Sequence, residues 1–97
     1  MMPNNTVTIS KYYYSGIKMK KITIFGRPGC GFCTRAKELC AIKGYDFKYI
    51  DIWAEGISQA DLEKTVGKPV STVPQIFHGN EHIGGYTDFE AYTKVLA

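Results

Sequence analysis

Apolar positions follow a regular pattern from about Met19 onward. The run from Lys21 to Phe25 is β-branched and aromatic and ends in a turn rich in glycine and proline, which predicts a buried strand followed by a tight loop. An amphipathic helix is predicted from Gly31 to about Lys43, closed by Gly44. Its apolar positions recur at spacings of three and four, at Ala36, Leu39, Cys40 and Lys43, while Arg35, Lys37 and Glu38 face away.

The middle of the chain predicts a second strand and a second helix. Residues Phe47 to Ile52 have strand character. Ser58 with Asp61 three positions later forms a capping box, and Ile57 and Leu62 are placed as a hydrophobic staple. Gly67 and Pro69 then end that helix.

The last third predicts a hairpin and a final helix. Two short strands, Gln75 to His78 and Glu81 to Gly84, flank the two-residue turn Gly79-Asn80. Thr87 and Glu90 form a second capping box that opens the last helix. The predicted order is β-α-β-α-β-β-α, an α/β fold. The first two strands are expected to be parallel through a right-handed crossover, and the hairpin completes a four-stranded mixed sheet flanked by helices.

Residues 1 to 18 differ from the remainder. They are polar and tyrosine-rich and carry no apolar period that would bury a face. We expect a flexible N-terminal extension at residues 1–18 and one domain at residues 19–97. Two explanations stay open for the extension: a loosely packed tail, or an upstream translation start with Met19 as the biological one.

Charge and cysteine content exclude several classes of protein. The formal charge is +3, but Lys11 and Lys18 precede Met19, so ten basic side chains face nine acidic ones in the remainder. This balance argues against nucleic-acid and membrane-surface binding. Three cysteines, two of them close together, do not form the even framework of a secreted disulfide-rich domain. We expect a protein of the reducing cytoplasm, without a signal peptide or membrane span.

The sequence Cys30-Gly31-Phe32-Cys33 carries the candidate chemistry. It places Cys30 at the N-terminus of the first predicted helix, where free backbone N–H groups and the helix dipole stabilise a thiolate. Cys33 lies one turn further in and is expected to resolve a mixed disulfide that Cys30 forms. Arg27 adds positive charge on the approach side. A stabilised Cys30 thiolate is also a good leaving group when another thiol attacks the sulfur attached to it.

Other readings of the cysteines remain open at this stage. The pair could be half of a zinc site completed by Cys40, His78 or His82, although no second cluster with ligand spacing exists. The pair could also be structural. Cys40 is expected to be a small buried hydrophobe, and the two histidines are expected to be solvated beside the hairpin turn.

Three motifs closely resemble bacterial glutaredoxins, over about residues 20 to 97. They are Gly26-Arg27-Pro28-Gly29-Cys30-Gly31-Phe32-Cys33-Thr34-Arg35-Ala36-Lys37, Thr72-Val73-Pro74-Gln75-Ile76-Phe77 and His82-Ile83-Gly84-Gly85-Tyr86-Thr87-Asp88. The segments Asp51-Ile52, Ala54-Glu55-Gly56-Ile57 and Gly67-Lys68-Pro69-Val70 extend the similarity toward the glutaredoxin 1 branch. The resemblance implies a thioredoxin-like fold and a cytoplasmic glutathione-disulfide oxidoreductase.

The resemblance also implies a groove for glutathione as co-substrate beside Cys30. Thr72, Val73 and a cis Pro74 would present backbone to the tripeptide, and Gly85 with Gly84 would allow close approach. Thr87 and Asp88 would hold the γ-glutamyl end. The remaining groove residues would be Arg27, Phe32 and Tyr86, with Arg27 facing a carboxylate. Implied partners are disulfide-containing or glutathionylated proteins, including ribonucleotide reductase, and a monomer without metal is expected.

One departure from the family pattern supports an alternative. Dithiol members usually carry Pro-Tyr between the cysteines, whereas this chain has Gly31-Phe32. The alternative function is a carrier or sensor in which Cys30 of two subunits and two glutathiones ligate a [2Fe-2S] cluster.

Overall fold

Seven elements follow one another in the predicted order. The computed structural model describes residues 20–96, so the predicted extension at residues 1–18 lies outside the described residues. The elements are strands β1 (Ile22–Gly26), β2 (Phe47–Asp51), β3 (Gln75–His78) and β4 (Glu81–Gly84), and helices α1 (Gly31–Lys43), α2 (Gln59–Val66) and α3 (Tyr86–Val95).

The four strands form one mixed sheet in the order β2-β1-β3-β4. Strands β1 and β2 are parallel, and β3 is antiparallel to both of its neighbours, β1 and β4, so the predicted pairing is confirmed. The registers place four residues at one end of the sheet, which we call the loop end: Gly26, Asp51, Gln75 and Gly84. The segments that follow β1, β2 and β4, and the segment that precedes β3, therefore meet there.

Helix α1 has the predicted bounds. Cys30 is its N-cap in extended conformation, and Gly44 ends it in the left-handed conformation, with φ of 73°. Glycine adopts that φ without the steric cost of a Cβ, which explains why the helix ends there. Cys33, Ala36 and Cys40 are buried, whereas Lys43 is exposed and does not belong to the apolar face.

Helix α2 begins at the predicted capping box. The Asp61 N–H donates to Ser58 Oγ at 3.0 Å, and the Ser58 N–H donates to Asp61 Oδ2 at 3.1 Å. This backbone hydrogen bond from Ser58 holds the pKa of the Asp61 carboxyl below its usual value. Leu62 is buried, and Gly67 ends the helix with φ of 88°.

Helix α3 begins earlier than predicted, so the capping box at Thr87 and Glu90 is wrong. The N-cap is Gly85, and its N–H donates to Asp88 Oδ2 at 3.3 Å. Glycine has no side chain to cap with, so the usual cap residues do not mark this start. The hydrogen bond from the Gly85 N–H to the Asp88 carboxylate is one half of a capping box, and the other half needs a side chain that glycine lacks.

The core lies between the sheet and helices α1 and α3. Its fully buried side chains are Ile22, Ile24, Ala36, Cys40, Ile76 and Phe89. The buried thiol of Cys40 has its pKa raised to about 11 by desolvation, which confirms its prediction as a small buried hydrophobe. Among residues 20–96, no helix is long and apolar enough to cross a membrane.

The prediction that both histidines are solvated is wrong. His78 Nδ1 lies 2.7 Å from the Tyr92 hydroxyl of α3, and His82 Nε2 lies 2.7 Å from Gln75 Oε1. Both residues are half-buried. Their positions beside a hairpin turn do not reveal that α3 and the start of β3 supply these partners.

Candidate active site

The two cysteines of the Cys30-Gly31-Phe32-Cys33 segment form a disulfide at the start of α1. Their Cα atoms are 5.2 Å apart. The Cys33 N–H points at Cys30 Sγ at 3.2 Å, so a backbone donor of the first helical turn faces this sulfur. Cys33 is fully buried, whereas Cys30 is half-buried. An incoming reagent therefore reaches Cys30 first.

The segment before β3 lies directly against Cys30. The Val73 carbonyl oxygen is 3.6 Å from Cys30 Sγ, close enough to accept from the thiol when the pair is reduced. The Val73–Pro74 peptide bond is cis, as the resemblance implies. Thr72 is exposed, and its carbonyl accepts from Gln75 Nε2 at 2.9 Å. The backbone of residues 72–74 is thus fixed next to the redox-active sulfur.

A first cleft, here called the Asp88 cleft, lies on one side of this segment and has a volume of about 350 Å³. The N-terminus of α3 forms one wall, where the first N–H groups of the helix are free to bind an anion. Its lining residues are Lys68, Pro69, Val70, Ser71, Thr72, Gln75, His82, Gly84, Gly85, Tyr86, Thr87 and Asp88.

A second cleft, here called the Trp53 cleft, lies on the other side and has a volume of about 330 Å³. The Arg27 guanidinium lies over the Trp53 ring, with Cζ 5.5 Å from the ring centroid. This cation–π contact holds the guanidinium at the lining of the cleft. The lining residues are Arg27, Ile52, Trp53, Ile57, Ser58, Gln59, Leu62, Val70, Ser71, Thr72 and Val73.

Aromatic side chains border Cys30 on the side of α1. Phe32 is 54% exposed although it is large and apolar, and it stacks on Tyr86 with ring centroids 5.8 Å apart. The Arg35 guanidinium lies 5.6 Å from the Phe32 ring centroid. An exposed aromatic pair at the mouth of a site offers apolar contact area to a ligand or partner.

Comparison with known proteins assigns the chain to a family. A sequence model of the glutaredoxin family matches residues 22–83. The chain belongs to this family. It is similar to glutaredoxin 1 of Salmonella typhimurium, with 63% identity over 76 residues that cover 73% of this chain and 87% of that protein.

Solved glutaredoxin structures share the fold. Reduced glutaredoxin of Escherichia coli matches with a TM-score of 0.69 and 51% identity, covering 76% of this chain and 93% of that chain. A buckwheat glutaredoxin-glutathione complex matches with a TM-score of 0.63 and 30% identity, covering 75% of this chain and 67% of that chain. The thioredoxin-like fold is thereby confirmed. As a glutaredoxin with a Cys30/Cys33 dithiol, the chain is a thiol-disulfide oxidoreductase.

The predicted groove residues divide between the two clefts. Arg27 and Val73 line the Trp53 cleft, whereas Gly85, Tyr86, Thr87 and Asp88 line the Asp88 cleft. Thr72 lines both clefts, and buried Pro74 lies between Val73 and β3. Phe32 lines neither cleft, but its ring stacks on Tyr86, which lines the Asp88 cleft. Arg27 and Asp88 therefore lie in different clefts, which share Val70, Ser71 and Thr72.

Sequence reasoning missed several residues of these clefts, among them Gln75, His82, Lys68 and Trp53. Gln75 reads as an ordinary strand residue, and its burial together with its bond to Thr72 becomes visible only in the fold. Trp53 follows β2 in the sequence, but only the fold shows that its ring is 63% exposed and carries the Arg27 guanidinium.

The zinc alternative gains no support from the described part of the chain. Within residues 20–96, no group of three or more His, Cys, Asp or Glu side chains is arranged to hold a metal ion. Cys40 lies in the core, and the histidines bond to Tyr92 and Gln75.

Proposed function

We propose that this glutaredoxin is glutathione-dependent and reduces protein disulfides and protein-glutathione mixed disulfides through Cys30 and Cys33. One observation carries the proposal: Cys30 lies against the Val73 carbonyl, and the segment that contains Val73 lines two clefts, one with Arg27 and the other with Asp88 and the N-terminus of α3. Glutathione is an extended tripeptide with a zwitterionic γ-glutamyl end, a central thiol and a glycine carboxylate, so its charges match this arrangement.

The Asp88 cleft suits the γ-glutamyl end. One oxygen of the Asp88 carboxylate accepts from the Gly85 N–H, and the carboxylate retains acceptor capacity for the ligand ammonium. The ligand α-carboxylate would meet the free N–H groups at the start of α3, near Thr87. The glutathione complex of the related buckwheat glutaredoxin supports this choice of ligand.

The backbone at Val73 suits the central cysteine of the tripeptide. An extended peptide that pairs with a free N–H and carbonyl adds a short strand, which fixes its direction without reading its side chains. Arg27, held over Trp53, would then face the glycine carboxylate. The sulfur of the tripeptide lies beside Cys30 in this placement.

The chemistry consists of disulfide exchange steps. In deglutathionylation, the Cys30 thiolate attacks the glutathione sulfur of a mixed disulfide, so that a Cys30-glutathione disulfide forms and the protein thiolate leaves and takes up a proton. The thiolate of a second glutathione attacks the glutathionyl sulfur, forms oxidised glutathione and releases the Cys30 thiolate. Cys33 takes no part in this cycle.

Reduction of a protein disulfide uses both cysteines. Cys30 attacks one sulfur and releases the other as a thiolate. The Cys33 thiolate then attacks Cys30 Sγ, which forms the internal disulfide and frees the second protein thiol. Two glutathiones restore the dithiol and leave as oxidised glutathione. We further propose ribonucleotide reductase among the clients, a monomeric state and a cytoplasmic location, and each of these rests on the family resemblance.

Steady-state turnover tests the proposal. The assay couples glutathione, glutathione reductase and NADPH to reduction of a glutathionylated peptide, and separately to a peptide with an internal disulfide. We expect Cys30→Ser to abolish both activities and Cys33→Ser to abolish only the second. In a further arm, the dipeptide Cys-Gly, which lacks the γ-glutamyl end, replaces glutathione with direct detection of the released thiol.

The dipeptide arm decides whether glutathione is recognised. We expect the parent to prefer glutathione by about tenfold or more in kcat/KM, equivalent to about 1.4 kcal/mol. Asp88→Asn keeps an oxygen for the Gly85 N–H and removes the charge, so it should lower this preference selectively. Equal rates with both thiols in the parent would exclude glutathione dependence, and a Cys30→Ser protein as active as the parent would exclude the mechanism.

A further inference from the structure

A continuous hydrogen-bond chain runs from β4 to the segment beside Cys30. His82 Nε2 lies 2.7 Å from Gln75 Oε1, and Gln75 Nε2 donates to the Thr72 carbonyl at 2.9 Å. Gln75 is 8% exposed, so its amide has little access to water. The hydrogen-bond chain ends at Thr72, the residue before Val73, and the Val73 carbonyl faces Cys30 Sγ.

The direction of every bond in this chain is determined by chemistry. A carbonyl only accepts, so the Gln75 amide must present its NH₂ group to Thr72 and its oxygen to His82. The nitrogen of His82 that faces this oxygen must therefore carry a hydrogen. Neutral His82 is fixed as the Nε2–H tautomer, and the imidazolium form also donates from Nε2.

We propose that His82 is a positioning residue for glutathione, acting through Gln75 on the backbone of Thr72 and Val73. The inference rests on the proposed function, since Thr72 and Val73 are the residues proposed to pair with the tripeptide. Without the His82 donor, the Gln75 oxygen loses its partner in a buried place, and the amide gains by rotating toward water. That rotation takes the NH₂ group away from Thr72 and leaves the binding backbone in a less ordered position.

The surroundings of His82 hold it in this role. Its ring packs on Phe77 with centroids 5.1 Å apart, which limits ring rotation. Lys68 and Asp88 are the charged groups that face it from the loop after α2 and from α3; Lys68 opposes its protonation and Asp88 favours it. Desolvation is the larger effect and lowers the pKa of His82, which favours the neutral form at physiological pH. Because both forms donate from Nε2, the role does not depend on protonation.

Two substitutions separate the donor from the ring. His82→Phe keeps an aromatic ring against Phe77 and removes the N–H, whereas His82→Gln removes the ring and offers a terminal amide N–H at a similar reach. We expect His82→Phe to raise the KM for glutathione about tenfold with a much smaller change in kcat. The buried Gln75 oxygen loses its donor, and the Thr72 and Val73 backbone then binds glutathione more weakly. His82→Gln should recover most of that loss.

A purely structural role predicts the reverse order. If His82 matters only through packing on Phe77, His82→Phe keeps the parent KM and His82→Gln raises it, and this outcome overturns the proposal. Melting temperatures of both variants show whether a changed KM follows from a lost fold. The glutathione and Cys-Gly comparison in the parent is the separate test of the proposed function.

Nitrogen NMR of the parent tests the chain without any variant or ligand. At about pH 8 His82 is neutral, and long-range ¹H–¹⁵N correlations distinguish a protonated from an unprotonated ring nitrogen. We expect the Nε2–H tautomer. An Nδ1–H tautomer would rule out the proposed hydrogen-bond chain even if the protein depends on glutathione. An Nε2–H tautomer would support the hydrogen-bond chain even if the protein does not depend on glutathione.

Discussion

Replacing Gly84 by alanine tests how the loop end of the sheet forms the Asp88 cleft. Gly84 ends β4 with φ of +125°, a value that residues with a Cβ rarely adopt. A methyl group there would also lie against the Asp88 carboxylate, with Asp88 Cγ at 3.0 Å. The side chain of Asp88 therefore occupies the space that glycine leaves open.

Two contributions set the size of the expected loss. Forcing alanine into this backbone region costs about 1–3 kcal/mol. Displacing the Asp88 carboxylate breaks its bond to the Gly85 N–H, and loss of a helix cap costs about 0.5–2 kcal/mol. We expect a total near 3 kcal/mol. For a domain of this size, about 4–8 °C per kcal/mol gives a melting temperature lowered by about 12–24 °C.

Gly85→Ala is the matched control in the same dipeptide. Gly85 has φ of −87°, which alanine adopts freely, and its methyl group would meet only the Pro74 carbonyl oxygen at 3.7 Å, an ordinary contact. Thermal and guanidinium unfolding of both variants measures the difference. Gly85 is the N-cap of α3, where alanine is less favourable than glycine, so we expect Gly85→Ala to cost about 1 kcal/mol or less.

A double-mutant cycle separates the two contributions at Gly84. In an Asp88→Ala background the carboxylate is absent, so Gly84→Ala should cost about 1 kcal/mol less than in the parent. Equal losses for Gly84→Ala and Gly85→Ala would refute the conformational argument. An unchanged cost in the Asp88→Ala background would refute the contact between the new methyl group and the carboxylate.

Two further predictions concern titratable groups. The lowered pKa of Asp61 stabilises the fold above the pKa of its unfolded form, and this stabilisation is lost as pH falls through the folded pKa. Asp61→Asn should therefore show a smaller drop in melting temperature between about pH 7 and pH 3.5 than the parent. Equal drops in the two proteins would contradict the role of the Ser58 bond. The second prediction uses a protein in which Cys30 and Cys33 are both replaced by serine. Because Cys40 is buried and has a pKa of about 11, it should react with iodoacetamide only slowly at about pH 8 until guanidinium unfolds the chain. Rapid labelling of the folded protein would show that the core opens at Cys40.

Elements with local signals in the sequence were predicted to within a residue. Helix α1 has a glycine that ends it and an apolar period that buries Cys33, Ala36 and Cys40. The cap of α2 was predicted because Ser58 and Asp61 interact within one turn. Such features depend on residues close together along the chain, so a local pattern is enough to identify them.

Features that no local side-chain pattern marks were not predicted. The start of α3 is fixed by a glycine whose N–H bonds to Asp88, a cap that no side chain at position 85 announces. The partner of His82 comes from β3, seven positions away, and both groups could equally have been solvated. The sequence contains these polar groups, but only the packing of β4 beside β3 decides that they bond to each other.

Strand order is the property of the fold that assembles the candidate site. The sequence predicts that β1 and β2 are parallel and that β3 and β4 form a hairpin, but these pairings are compatible with either hairpin strand next to β1. If β3 and β4 exchanged places, the segment before β3 would stay at the loop end. It would lie one strand further from β1, and therefore from Cys30, a distance of about 4.8 Å. The Val73 carbonyl, now 3.6 Å from Cys30 Sγ, would then be out of its reach. The observed order β2-β1-β3-β4 is therefore what joins the dithiol of α1 to the backbone proposed to hold glutathione.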